Sequence, residues 1–149
     1  MAADDYTLGR LGQERYLRQF PMGTMSASGV TVSFGSDSCL EEPTANAFVG
    51  MYDAVARSVD PEGLGLYLPR EEGISRAEAL LAYTAAGARQ LGWERETGTI
   101  APGRSADFVI VDRDVMGCPL EALKQTQVIQ TWFRGNKVYD RDNMERSDT

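Results

Sequence analysis

A change of period near residue 92 constrains the fold of this chain more than any other feature. Upstream, apolar residues return every three or four positions; downstream they return every two, between turns punctuated by glycine and proline. The strongest upstream segment opens with Ser75-Arg76-Ala77-Glu78. This is a capping box, in which a serine oxygen and a glutamate satisfy two backbone N–H groups that a helix start leaves orphaned. Ala77, Leu80, Leu81, Thr84, Ala88 and Leu91 are the expected buried face, with Gly92 as a left-handed stop. Phe48, Met51, Tyr52, Val55 and Val59 predict a second amphipathic helix, from Thr44 to Val59. A shorter helix is expected over Gln13–Phe20, with Tyr16, Leu17 and Phe20 on one stripe and Pro21 ending it, then a brief helical stretch into Gly29. The segment "SVDPEGLGLYLPREEG" between the two longer helices reads as exposed loop.

Beyond Trp93 the signals are those of strands. Ala101-Pro102-Gly103-Arg104 has proline and glycine where a type II turn requires them, and Phe108-Val109-Ile110-Val111 reads as a strand buried on both faces. Val128–Phe133 predicts another strand, and Arg134-Gly135-Asn136-Lys137 a tight hairpin returning into Val138-Tyr139. The polar tail after Asp140 is expected to fray. Trp93, Trp132, Tyr139 and the methionines are expected to make core or sheet contacts.

Composition excludes several classes of function. A net charge of −7 with no Lys/Arg run argues against nucleic acid. No stretch reaches the ~20 apolar residues of a membrane span, and the first residues lack the apolar core of a signal peptide, so a cytoplasmic protein without a membrane partner is expected. Cys39 and Cys118 show neither metal-type nor redox-type spacing and read as reduced thiols.

"VTVSFGSDS", residues 30 to 38, alternates as a strand and then stops at Gly35-Ser36-Asp37. Val30, Val32 and Phe34 share one face, and Asp37 projects from the other if the phase holds. A carboxylate at the carboxyl end of a strand is a candidate proton carrier, but a turn or helix-entry acceptor has the same appearance. Ser36, Ser38 and Cys39 lack a histidine base, because the chain contains no histidine. Arg57 could meet a substrate carboxylate, although an arginine late on a helix is ordinarily a solvated charge. The Glu41-Glu42 and Glu71-Glu72 pairs read as loop decoration. "GTIAPGRS", residues 98 to 105, imitates a phosphate-binding loop, but a strand follows it, Pro102 removes a donor and Arg104 stands where lysine belongs.

Taken in order, "GVTVSFGSDS", "YDAVARSV", "SRAEALLAYTAAGARQLG", "GTIAPGRSADFVIVD" and "VIQTWFRGNKVYD" resemble the C-terminal portion of the metal-dependent amidohydrolases, most closely the third amidohydrolase family, which includes N-substituted formamide deformylases. The resemblance implies an α/β fold: the last helix-strand-helix units of a (β/α)8 hydrolase barrel, then strands of a small composite β-sandwich. On that map residues 1–93 belong to the barrel, with residues 11 to 29 its seventh helical region, Val30–Phe34 its eighth strand, and 44–59 and 75–91 the closing helices. Residues 94–140 form the returning half of the sandwich, and 141–149 are a polar tail.

The resemblance also implies a chemistry. Asp37 matches the eighth-strand aspartate that lies by the metal, takes a proton from the activated water and returns it to the leaving nitrogen. The cofactor implied is a divalent metal, expected to be zinc, held by histidines on earlier strands. Asp37 would touch it only together with those ligands, so none is expected in this chain alone. The substrate implied for the parent enzyme is a small-molecule amide, and the chain alone is expected to be inactive. The contrasting expectation is a non-catalytic assembly or regulatory module. Uncovered stripes and strand edges predict a homo-oligomer or pairing with a separate N-terminal half.

Overall fold

The computed structural model describes residues 3–36, 45–57 and 69–144. Asp37, Ser38, Cys39, Glu41, Glu42, Thr44 and Val59 lie outside them, as do the greater part of the loop between the two longer helices and the last residues of the tail.

Helix α1 spans Ala3–Tyr16 and is broken at Gly12, whose φ of 70° and ψ of 160° are not helical. The expected helix over Gln13–Phe20 therefore stops early. Arg18 and Gln19 donate to carbonyls three residues back, and Phe20 takes a φ of 49°. These tight turns end the helix before Pro21 is reached, so of the predicted stripe only Tyr16 is buried, and Phe20 is exposed. Helix α2, Met22–Ala27, is the brief stretch expected before Gly29.

The predicted strand Val30–Phe34 is not a strand here. No sheet partner exists for it among the described residues, and Phe34 N–H instead donates to the Ala82 carbonyl at 3.1 Å. Helix α3, Ala47–Ala56, is shorter than the periodicity suggested. Asn46 accepts from Phe48 N–H and starts it, and Arg57, in the left-handed region, ends it. A single 3-10 turn, Arg70–Glu72, precedes α4.

Helix α4, Arg76–Tyr83, begins with the full capping box: Ser75 accepts from Glu78 N–H, and Glu78 reaches back to Ser75 N–H. Thr84, with φ −128° and ψ −93°, then interrupts the helix, and α5 resumes over Ala85–Gln90. The buried face also differs from the expected one. Ala88 is buried as expected and Leu80 half-buried, but Ala77 and Thr84 are exposed, Leu81 and Leu91 stand 54% and 65% exposed, and Ala79 and Ala82 are buried in their place. Ala79 packs into the core with Met51, Tyr52 and Ala54 of α3, which turns the Leu81 side of α4 outward.

The core gathers Met51, Tyr52 and Ala54 of α3, Ile74, Ala79 of α4 and Leu123 of a short helix, α6, Leu120–Leu123. Burying a side chain such as Met51 or Leu123 contributes ~1.5–3 kcal/mol. Gly50 sets the spacing between α3 and α4, since a Cβ placed there would fall 1.9 Å from the Tyr83 hydroxyl and 2.9 Å from its ring carbon.

The remainder is a three-stranded antiparallel sheet in the order β1 (Phe108–Val111), β2 (Val128–Phe133), β3 (Asn136–Asp140). Phe108 pairs with Trp132, and their rings stack at 5.7 Å. The expected turn at Ala101–Arg104 forms, with Arg104 N–H donating to Ala101 O and Gly103 at the φ of 81° that a type II turn demands. The hairpin turn sits one residue earlier than expected: Arg134 and Gly135 both have positive φ, 50° and 75°, and Phe133 pairs with Asn136. β1 is not buried on both faces, since Val109 and Ile110 are 48% and 43% exposed. Trp93 is likewise exposed rather than packed. Consecutive strand residues point to opposite faces, so β1 meets solvent on both sides at its centre. The start of the tail is a helical turn, α7, Arg141–Met144, rather than a frayed end. No helix of the described residues is long and apolar enough to cross a membrane.

Two measurements check this packing. Gly50→Ala is expected to lower stability by ~1–3 kcal/mol in urea unfolding, and adding Tyr83→Phe, which removes the overlapping hydroxyl, recovers part of the loss. Glu78 is held at about 2 instead of its usual 4.5, first by the Ser26 hydroxyl and then by Ser75. A carboxylate depressed in the folded state stabilises above pH 4.5 and loses that contribution as pH falls through 2. The urea midpoint of Glu78→Gln should therefore lie below that of the parent chain at neutral pH and converge with it near pH 2.

Candidate functional site

The structure brings α2, the 30–36 stretch and the α4–α5 pair around one groove. Gly29, at φ 76°, turns the chain out of α2, and Val30 N–H donates back to Met25 O at 3.1 Å. Phe34 anchors the far end, its ring set edge-on to Tyr83 at 5.4 Å. Ser33 donates to the Gln90 side chain, tying the middle of the stretch to the end of α5. The groove, about 270 Å³, is walled by Met22, Val30, Val32, Leu81 and Ala85, with Glu78 and Arg89 among its polar lining. Asp37 follows this stretch in sequence by one residue beyond Ser36 and lies outside the described residues, so its surroundings are not part of this geometry.

Ser26 Oγ donates to Glu78 Oε1, a pairing that superficially matches a nucleophile and its base. A carboxylate held at about 2 is too weak a base to activate a hydroxyl at neutral pH, and its second oxygen is committed to the capping box. The pair fastens α2 to the start of α4.

Two residues assigned to solvent by the sequence pattern are built into the structure. Arg57 is only 3% exposed; its Nη2 donates to Gln19 O at 3.1 Å, its Nε has no hydrogen-bond partner, and burial lowers its pKa. Glu72 is not loop decoration: its carboxylate accepts from Thr24 N–H at 2.7 Å and Thr24 Oγ1 at 2.6 Å, and the Thr24 hydroxyl is the first cause of its lowered pKa. Arg57 ties the end of α3 to the turn before α2, and Glu72 ties the 3-10 turn to α2 itself. The only sequence signal for the second contact was the acidic pair, because Thr24 lies 48 residues away.

Other polar groups serve packing. Tyr52 donates to Glu121 at 2.7 Å, which raises the tyrosine pKa, and Lys124 lies 4.5 Å over the ring. Asp107 accepts from Thr97 Oγ1, Ser105 Oγ and Arg134 N–H at 2.9, 2.9 and 2.7 Å. This carboxylate, two residues after the stretch that imitates a phosphate loop, joins the segment before β1 to the β2–β3 hairpin. Cys118 is a free, half-buried thiol beside the Arg76 guanidinium. Among the described residues there is no group of three or more His, Cys, Asp or Glu able to hold a metal ion.

Comparison with known proteins places this geometry. A model of the amidohydrolase family matches residues 1–139. An N-substituted formamide deformylase of Arthrobacter pascens is 32% identical over 91% of this chain and 24% of its own length. A 5-methylthioadenosine/S-adenosylhomocysteine deaminase of Caldanaerobacter subterraneus is 31% identical over 62% of this chain and 20% of its own. The crystal structure of an amidohydrolase from Thermotoga maritima shares the fold, with a TM-score of 0.56 at 23% identity over 80% of this chain and 26% of that one. The chain thus spans less than a quarter of the length of these two curated relatives. With the family match running from the first residue through β3, this chain belongs to the amidohydrolase family.

Proposed function

We propose that this chain is the C-terminal portion of a metal-dependent hydrolase that breaks C–N bonds of small amides, with Asp37 as its proton carrier. The observation that carries the proposal is the match to a formamide deformylase over 91% of this chain but only 24% of the relative. Amide hydrolysis requires one proton to leave the attacking water and one to reach the departing nitrogen. A carboxylate within hydrogen-bond reach of both atoms performs the two transfers in turn, a contribution of ~10²–10⁴-fold. Phe34, pinned at the mouth of the groove by Ala82 and Tyr83, fixes the chain three residues before that carboxylate.

The residues of this chain do not fit the divalent metal that the family implies. Histidine is absent, and the described residues hold no ligand cluster. Its ligands are assigned in this proposal to the part of the relatives' length that has no counterpart here, and the chain alone is catalytically silent.

The test is metal content and formamide or amide hydrolysis, measured on the chain alone and with the upstream portion of a family member supplied as a separate polypeptide. Activity is expected only in the mixture, and Asp37→Asn should lower its kcat by ~10²–10⁴-fold while leaving bound metal unchanged. Hydrolysis by the isolated chain, or full activity of the Asp37→Asn mixture, overturns the proposal.

A further inference from the structure

The 30–36 stretch has one occupied edge and one open edge. In a strand, the N–H and C=O of alternate residues point to the same side. Val30 N–H closes α2 on Met25 O and Phe34 N–H bonds Ala82 O, whereas among the described residues no backbone hydrogen bond engages Thr31 or Ser33, which face the opposite edge once the stretch pairs as a strand. Beside this stretch runs the apolar groove, with Leu81 54% exposed on its wall.

We propose that a second copy of this chain occupies the open edge, forming a two-fold antiparallel ladder centred on Val32. The inference rests on the reading of residues 30–34 as a strand without its neighbours. A symmetric ladder needs a segment that complements itself, and Val30-Thr31-Val32-Ser33-Phe34 reads apolar, hydroxyl, apolar, hydroxyl, apolar from either end. Thr31 then exchanges backbone hydrogen bonds with Ser33 of the partner subunit, Val30 meets Phe34 of the partner subunit, and Val32 meets Val32 of the partner subunit. Exposed edges are usually guarded by charge or proline, yet residues 26 to 36 contain neither. The flanks match in charge as well. Glu78 at the start of α4 and Arg89 near the end of α5 both line the groove beside the stretch, so the surroundings of this edge carry both signs of charge.

Val32 is the non-hydrogen-bonded pair of this ladder, where Cα atoms stand ~4.5 Å apart, inside the range a disulfide spans. In a Cys39→Ser, Cys118→Ser background, Val32→Cys is expected to cross-link as a dimer under mild oxidation, while Val138→Cys in the exposed part of β3 is not. Light scattering of the unmodified chain is expected to give twice the monomer mass, and Val32→Lys to weaken that dimer by at least ~10-fold with unchanged far-UV circular dichroism. If Val32→Lys alters the circular dichroism, the Val32→Cys cross-link decides alone. A monomer at millimolar concentration, a missing Val32→Cys cross-link, or a dimer that folded Val32→Lys leaves intact overturns the inference. Hydrolysis by the mixture of polypeptides without any dimer leaves the proposed function standing and removes this inference; a dimer without hydrolysis does the reverse.

Discussion

Close approach of α3 to α4 is the constraint on which the helical part of this chain depends. It is possible because Gly50 and Ala79 present almost no side chain at the crossing. With the helices so near, Met51, Ile74 and Leu123 close around one another, and Tyr83 is set against Phe34. The route of the 30–36 stretch follows from a contact made by residues with little chemistry of their own. Small residues carry the geometry while large ones supply the driving force.

The same arrangement explains why so much apolar surface remains uncovered. The stripe read from α4 is genuine, but only its alanine side is used here; Leu81 and Leu91 look outward, as do Val109, Ile110, Phe133 and Val138 in the sheet. A chain of ordinary composition does not usually leave that many large apolar residues in water. The matches cover only 24% and 20% of those two relatives' own length, which agrees with surfaces shaped to meet further structure.

Local chemistry was legible in the sequence, and long-range partnership was not. The capping box at Ser75, the type II turn at Gly103 and strand β2 follow from residues next to one another, and each forms where expected. The break at Thr84, the burial of Arg57 and the Thr24–Glu72 contact depend on which distant segment arrives, and no periodicity records that. Residues 30–34 show the limit most clearly: alternation specifies a strand only where a neighbour is present to pair with it. The candidate site divides in the same way. The resemblance singles out Asp37, which lies outside the described residues, whereas the groove emerges only when α2, α4 and α5 are set together.

Asp107 has a consequence for how the sheet part comes apart. One carboxylate holds Thr97, Ser105 and Arg134, and Ala106 O accepts from Gly135 N–H alongside it. The approach to β1 and the tip of the β2–β3 hairpin are thereby cross-stitched at a single point. Neither can peel away while the other stays in place, so this portion opens as one cooperative unit, and the amides of Arg134 and Gly135 share a common exchange lifetime although two strands and a short helix separate them in sequence from the residues that secure them.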